Sequence, residues 1–217
     1  MISVVLGRRG SGKSVLALSL FERARRSERC PAVIVDTLME YQGYMLSRPD
    51  QLEEWIGESV SWASDLHRTQ SALKVRVDCR DPDDLRTVVD ALRSWTAPDP
   101  VKRAGLLLID ECSYWSKPQW TSPALSALVR YGRHWNLHLI AVGRRPAEIS
   151  RELTSQADRF YIFRMTEPID LDWTAKILEP ADVERIKTLA RYRFMRVPMN
   201  DREGKPTIDG PITPIIS

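Results

Sequence analysis

The tightest constraint on this chain is the stretch Gly7 to Ser14, G-R-R-G-S-G-K-S, which satisfies the phosphate-loop pattern G-x-x-x-x-G-K-[ST]. Just before it, Ile2, Val4, Val5 and Leu6 make a short β-rich apolar run suited to a buried strand. Just after it, Val15 to about Arg26 reads as a helix. A strand that turns through glycines directly into a helix leaves backbone amides facing outward at a positive dipole end, which suits an anion. Gly7, Gly10 and Gly12 let the backbone turn tightly and approach that anion. Arg8, Arg9, Ser11 and Val15 complete the loop and the first helical turn. Lys13 is expected to reach the β- and γ-phosphates of a nucleoside triphosphate, and the Ser14 hydroxyl to take a place on Mg²⁺.

At 217 residues the chain is long enough for one domain with a full core. Its net charge of +3 does not by itself indicate nucleic-acid binding. The basic residues do cluster: Arg23, Arg25, Arg26 and Arg29; Arg144 and Arg145; Arg191, Arg193 and Arg196. Such clusters are either solvated faces or a surface that tracks DNA. Cys30, Cys79 and Cys112 are far apart and lack metal-ligand spacing, so neither a zinc site nor a disulfide framework is suggested, and a reducing compartment fits. No apolar run approaches membrane-spanning length. With the phosphate loop starting at residue 7, the expectation is that no signal peptide and no domain precede it.

The rest of the chain alternates. Ala32–Val35 reads as a buried strand ending at Asp36, Gln51–His67 as a helix without one clean apolar stripe, and Leu73–Val77 as a strand near a sheet edge. Asp81-Pro82 is an N-cap followed by proline at the first helical position. Leu85, Val88, Val89 and Leu92 then follow at amphipathic spacing. Leu106–Ile109 is the most hydrophobic segment, expected as a central parallel strand. Ser122-Pro123 repeats the cap-and-proline start of a helix expected to run to about Arg133. Strands are expected at Leu137–Val142, Phe160–Phe163 and Tyr192–Val197, with helical pieces near 170–178 and 180–190. Alternating strands and helices imply an α/β sheet of mainly parallel strands flanked by helices, with ligands at the carboxyl ends of the strands. That rule brings the phosphate loop, Asp110-Glu111 and Arg144 to one edge.

A hydrophobic strand ending in Asp110-Glu111 supplies what hydrolysis needs: Asp110 to hold Mg²⁺ opposite Ser14, and Glu111 to orient and deprotonate water. A pair of acids can also simply cap the next element. Arg130 and Arg133 lie three apart, on one helical face if the helix persists that far. They are either arginines presented to a neighbour's γ-phosphate or a basic helix end favoured by the dipole.

Four stretches carry a resemblance: Leu106–Glu111, R-Y-G-R-H-W at Arg130–Trp135, G-R-R-P at Gly143–Pro146, and Q-A-D-R-F at Gln156–Phe160. Together they resemble the FtsK–HerA superfamily of DNA-pumping ATPases, over about Ile2 to Leu178. Glu40-Tyr41 after Asp36 is similar to the same pattern. The resemblance implies a RecA-like P-loop fold, a homo-oligomeric ring (hexamer or pentamer), and ATP hydrolysis with Mg²⁺ coupled to movement of double-stranded DNA. Lys13, Ser14, Asp110 and Glu111 match the Walker A and Walker B positions. Arg133, and less closely Arg130, matches the arginine finger acting in trans. Arg144 departs from the family pattern, standing where a glutamine sensor is usual.

The expectation is a chain without the HerA-like barrel and without the membrane helices and DNA-reading module of FtsK-like pumps. The bare motor resembles the genome-packaging ATPases of tailless icosahedral viruses with an internal membrane. Assembly ATPases of filamentous phages have a similar motor but usually continue into a membrane segment. The expected partners are double-stranded DNA and capsid portal or vertex proteins, and the expected location is the virion vertex or the host cytoplasm. Two other readings stand beside a packaging motor: a small phosphotransferase, and a non-catalytic nucleotide-gated assembly protein. The motor domain is expected to span residues 1–197 and an extended tail residues 198–217. Ile208, Ile212, Ile215 and Ile216 give that tail more apolar character than a solvating linker needs. It either packs on its own domain or a neighbour, with Thr213–Ser217 extended, or is a disordered end.

Overall fold

The computed structural model describes residues 1–28, 30–37, 41, 44–61, 74–77, 81–99, 103–199 and 204–212. The expectations that fell on Arg29, Glu40, His67, Leu73, Cys79 and Thr213–Ser217 lie outside these residues.

The strands are β1 Ile2–Leu6, β2 Ala32–Val35, β3 Met45–Ser47, β4 Lys74–Val77, β5 Gly105–Ile109, β8 Leu137–Gly143, β9 Arg159–Phe163, β10 Phe194–Pro198 and β11 Thr207–Asp209, with a hairpin of β6 Ser116–Lys117 and β7 Trp120–Thr121. Among the described residues the main sheet is nine-stranded, in the order β11-β10-β9-β1-β8-β5-β2-β4-β3. From β9 to β3 every neighbouring pair is parallel, while β10 and β11 add antiparallel pairs at one edge. β4 is next to last at the other edge, as its alternating pattern predicts.

Alternation along the buried strands sorts their side chains into two cores, one on each face of the sheet. Val5, Ile34, Leu106, Leu108, Ile140, Val142, Tyr161 and Phe163 pack with Leu16, Ala17 and Phe21 of α1, Lys13–Glu28. Val4, Leu6, Val33, Val35, Leu107, Ile109, Leu139 and Ile162 face α2 Leu52–Ser61, α3 Pro82–Thr96 and α4 Pro123–Tyr131. Leu106, Leu107, Leu108 and Ile109 are each at most 1% exposed. Their burial stabilises the fold by about 1.5–3 kcal/mol per side chain, which anchors the acids that follow.

Local signals set the helix starts. The Asp81 carboxylate accepts the Asp83 N–H (2.9 Å), and the Asp81 N–H donates to Asp84 (3.1 Å), closing a capping box ahead of α3. Ser122 Oγ accepts the Leu125 N–H (3.3 Å) ahead of α4. α4 ends at Tyr131, earlier than expected. Gly132, whose N–H still bonds Leu128 O (2.8 Å), begins a turn in which Leu137 N–H returns to Gly132 O (2.8 Å) and enters β8. Arg133 therefore lies in that turn, past the end of α4 that carries Arg130. Three short helices follow: α5 Arg151–Ser155, α6 Pro168–Thr174 and α7 Pro180–Lys187. β11, from the C-terminal segment, pairs with β10 through Phe194–Asp209, Met195–Ile208 and Arg196–Thr207.

Candidate nucleotide site

β1 delivers the chain to the carboxyl edge of the sheet, where residues 7–12 form the loop and α1 begins at Lys13. Two different physical demands act on its glycines. Gly7 sits so close to β9 that a Cβ there would lie 2.6 Å from Phe163 Cβ. Gly10 has open space around it but a φ of 73°, which L side chains rarely adopt. Lys13 is only 8% exposed, and its ammonium donates to Arg8 O (3.1 Å), bracing the loop across its own mouth. Arg8 turns its guanidinium outward to Thr166 (3.4 Å).

Asp110 follows β5 and is buried; its N–H donates to Val35 O (3.1 Å), which ties it to β2. One Asp110 oxygen accepts the Glu111 N–H (3.0 Å). Glu111 itself is left-handed, at φ 51° and ψ 52°. A non-glycine residue there costs on the order of 1–3 kcal/mol, and such strain concentrates at functional sites. Arg144, leaving β8 just past Gly143, donates its Nε proton to Glu111 Oε1 at 2.8 Å. Its neighbour Arg145 points elsewhere, to the buried Asp170 of α6 (3.0 Å). Of the paired arginines, only the first serves the cleft.

Arg9, Gly10, Lys13, Ser14, Asp110, Glu111 and Arg144 thus line one cleft of about 420 Å³. A hydroxyl and a carboxylate, Ser14 and Asp110, are the hard oxygen donors Mg²⁺ prefers, and Lys13 with the loop amides suits a polyphosphate. The Ser11 hydroxyl adds a buried polar atom with no hydrogen-bond partner among the described residues. The donor set therefore fits a nucleotide with its metal. Tyr41 belongs to the same corner. Its N–H donates to the fully buried Asp36 (2.9 Å), and its buried phenol lies near Ser14 and Asp110. Burial, and then the Asp110 carboxylate, push that phenol well above the usual tyrosine range, so it stays protonated. Nothing in the local pattern around Tyr41 signals that it folds back toward the phosphate loop; only the resemblance at Glu40-Tyr41 points to it.

Arg130 and Arg133 are not brought to this cleft. They line another cavity, with Met1, Ile2, Leu137 and Asp158, at the amino ends of the strands. Arg130 pairs with Glu152 of α5 (2.6 Å), and Arg133 reaches Asp158 at 3.6 Å while staying 88% exposed. The opposite edge of the sheet separates both from their own chain's phosphate loop. Among the described residues no helix is long and apolar enough to cross a membrane.

The family model of the zonular occludens toxin (Zot) family matches residues 1–180. The chain belongs to the Zot family. A curated relative, the uncharacterized protein 015R of Frog virus 3 (isolate Goorha), is 26% identical over 161 residues; the match covers 74% of this chain and 43% of the relative. The Zot-family chain thus spans less than half the length of that relative. Among solved structures it is similar to the genome packaging NTPase B204 of Sulfolobus turreted icosahedral virus 2 in complex with ATP-gammaS: TM-score 0.76, 25% identity, 98% of each chain. It also shares its fold with VirB4 of Thermoanaerobacter pseudethanolicus, at TM-score 0.56 and 14% identity, covering 90% of this chain and 86% of that one. Family, sheet order and cleft agree on an FtsK–HerA-type, RecA-like P-loop NTPase.

Proposed function

We propose that this chain is an ATPase whose hydrolysis drives double-stranded DNA, as the motor of viral genome packaging. One observation carries the hydrolytic part: Lys13 and Ser14 converge with Asp110 and Glu111, just under a hundred positions further along the chain, on one cleft with the second acid held at its mouth. Bound Mg²⁺ would neutralise phosphate charge there, held by Ser14 and, through water, by Asp110. Lys13 stabilises the charge that grows on the β- and γ-phosphates. Glu111 orients water and takes its proton. A phosphotransferase has no need of that second acid, and a non-catalytic binder would gain nothing from a strained Glu111.

The packaging role draws on the likeness to B204, a protein described as a genome packaging NTPase. An exposed Arg133 on the edge opposite the phosphate loop suits a homo-oligomeric ring in which each subunit offers this arginine to its neighbour's nucleotide. Arg130, held by Glu152, then positions that edge, and Arg144 senses the γ-phosphate from within the subunit. Such a motor works at the virion vertex or in the host cytoplasm, against capsid portal or vertex proteins.

Steady-state phosphate release, with and without double-stranded DNA, tests the reading. Wild type should hydrolyse ATP faster with DNA, with a strong salt dependence from phosphate contacts. Glu111→Gln should bind ATP and lose turnover by about 10²-fold or more. Transfer to a small-molecule acceptor, or normal turnover by Glu111→Gln, would refute it.

A further inference from the structure

On one side of β1 stand β8 and β5, whose ends carry Arg144, Asp110 and Glu111. The γ-phosphate end of a bound nucleotide belongs there, so its sugar and base extend to the other side, toward β9 and β10. β10 is antiparallel to β9, with Phe194 opposite Phe163, so the turn that precedes β10 lies at the same edge as the phosphate loop. β11 is antiparallel again, with Asp209 opposite Phe194, so the residues after it return to that edge too.

Both segments reach the loop. A Cβ placed on Gly12 would lie 3.2 Å from Tyr192 Cδ1, 3.4 Å from Ile212 Cδ1 and 3.7 Å from Phe163 Cε1. Tyr192 has a φ of 65°, a region that bulky residues rarely adopt and that persists only when the surroundings impose it. The surroundings are visible. The Tyr192 carbonyl accepts the Ile212 N–H (3.2 Å), and the Arg193 N–H next to it donates to Ala190 O (3.1 Å). A Cβ on Gly210 would come within 2.9 Å of that Tyr192 oxygen, so the crossing leaves no room for a side chain there. The Arg191 guanidinium stacks on the ring at 4.6 Å, yet Tyr192 remains 39% exposed. Tyr192, strained and half-open at the phosphate loop, belongs to neither core cluster, while Ile212 beside it packs against the α1 side of the sheet.

We infer that Tyr192 and Ile212 form the base subsite of the nucleotide pocket, with the Tyr192 ring receiving the nucleobase and Ile212 closing the apolar wall beside Gly12. The inference rests on the nucleotide-site reading above and makes residues 207–212 part of that site. Stacking is tolerant of base identity, because every base has a π-face. The subsite therefore takes a purine more strongly than a pyrimidine through ring area, and separates ATP from GTP little.

Equilibrium binding to the full chain, with ATPγS and inorganic tripolyphosphate as parallel probes, tests it. Tyr192→Ala should weaken ATPγS about tenfold, within the range that aromatic stacking contributes, and leave tripolyphosphate unchanged; Tyr192→Phe should bind both as wild type does. Ile212→Ser should weaken ATPγS alone, to a smaller extent. ATPγS binding unchanged in Tyr192→Ala would overturn the base subsite and spare the nucleotide site. Equal weakening of both probes would overturn it as well, by reducing Tyr192 to a support of the loop. A wild-type chain that binds neither probe would remove the nucleotide site itself.

Discussion

The phosphate loop's two kinds of glycine respond to substitution in opposite orders. At Gly7, an alanine Cβ would sit 2.6 Å from Phe163 Cβ, 2.9 Å from Ser11 Oγ and 3.2 Å from Phe163 Cγ. Phe163 cannot swing its Cβ aside, because that atom is fixed to β9, and β9 is hydrogen-bonded to β1 through Leu6–Ile162. Relief requires moving a strand or the loop, an overpacking cost of ~1–3 kcal/mol. In a chain of this size each kcal/mol lowers Tm by roughly 2–4 °C, so Gly7→Ala should melt about 2–12 °C below wild type. At Gly10 nothing lies within 4 Å, and the cost is the left-handed backbone alone, ~1–2 kcal/mol for alanine. Asparagine tolerates that conformation better. Gly10→Asn should therefore melt above Gly10→Ala, while Gly7→Asn, being larger, should melt below Gly7→Ala. Thermal unfolding followed by circular dichroism, with ATPγS binding on the same samples, reads both. A wild-type Tm for Gly7→Ala, or the same Ala–Asn order at both positions, would refute this account of the loop.

Two further tests separate catalysis from stability and cis from trans. The Arg144–Glu111 pair has its arginine side chain 49% exposed, so Arg144→Ala should cost only about 0.2–1 kcal/mol of stability. It should nonetheless slow hydrolysis by ~10²-fold with ATP binding retained; normal turnover at wild-type Tm would show that the arginine plays no part. Arg133→Ala subunits should bind ATP and, mixed with wild type, depress activity more steeply than dilution does. A strictly linear loss of activity across the mixing series would leave no room for a shared site.

What the sequence determined by itself was whatever is local along the chain. The phosphate loop needs only its own glycines, a strand before it and a helix after it, so its reading required no distant contact. The same holds for the caps at Asp81 and Ser122, and for β5, whose unbroken apolar run implies burial on both faces and puts Asp110-Glu111 at a strand end. The carboxyl-edge rule for parallel sheets then places loop, acids and Arg144 on one edge. The tertiary structure decided which of those neighbours touch. The insertion of β8 between β1 and β5 brings Arg144 onto Glu111 across 33 positions, and strand order leaves no trace in hydrophobic periodicity. The end of α4 at Tyr131 leaves Arg133 in the turn into β8, and the fold puts it with Arg130 in one cavity at the amino ends of the strands, away from the phosphate loop. Tyr41 comes near Ser14 and Asp110 across a chain reversal in which Asp36 accepts its backbone N–H. Tyr192 and Ile212 meet at Gly12 only because two antiparallel strands return the chain to the phosphate-loop edge. Side-chain type and spacing specify an element and the face it buries; contacts between elements depend on the order in which strands add to the sheet, which is settled by packing the whole core at once.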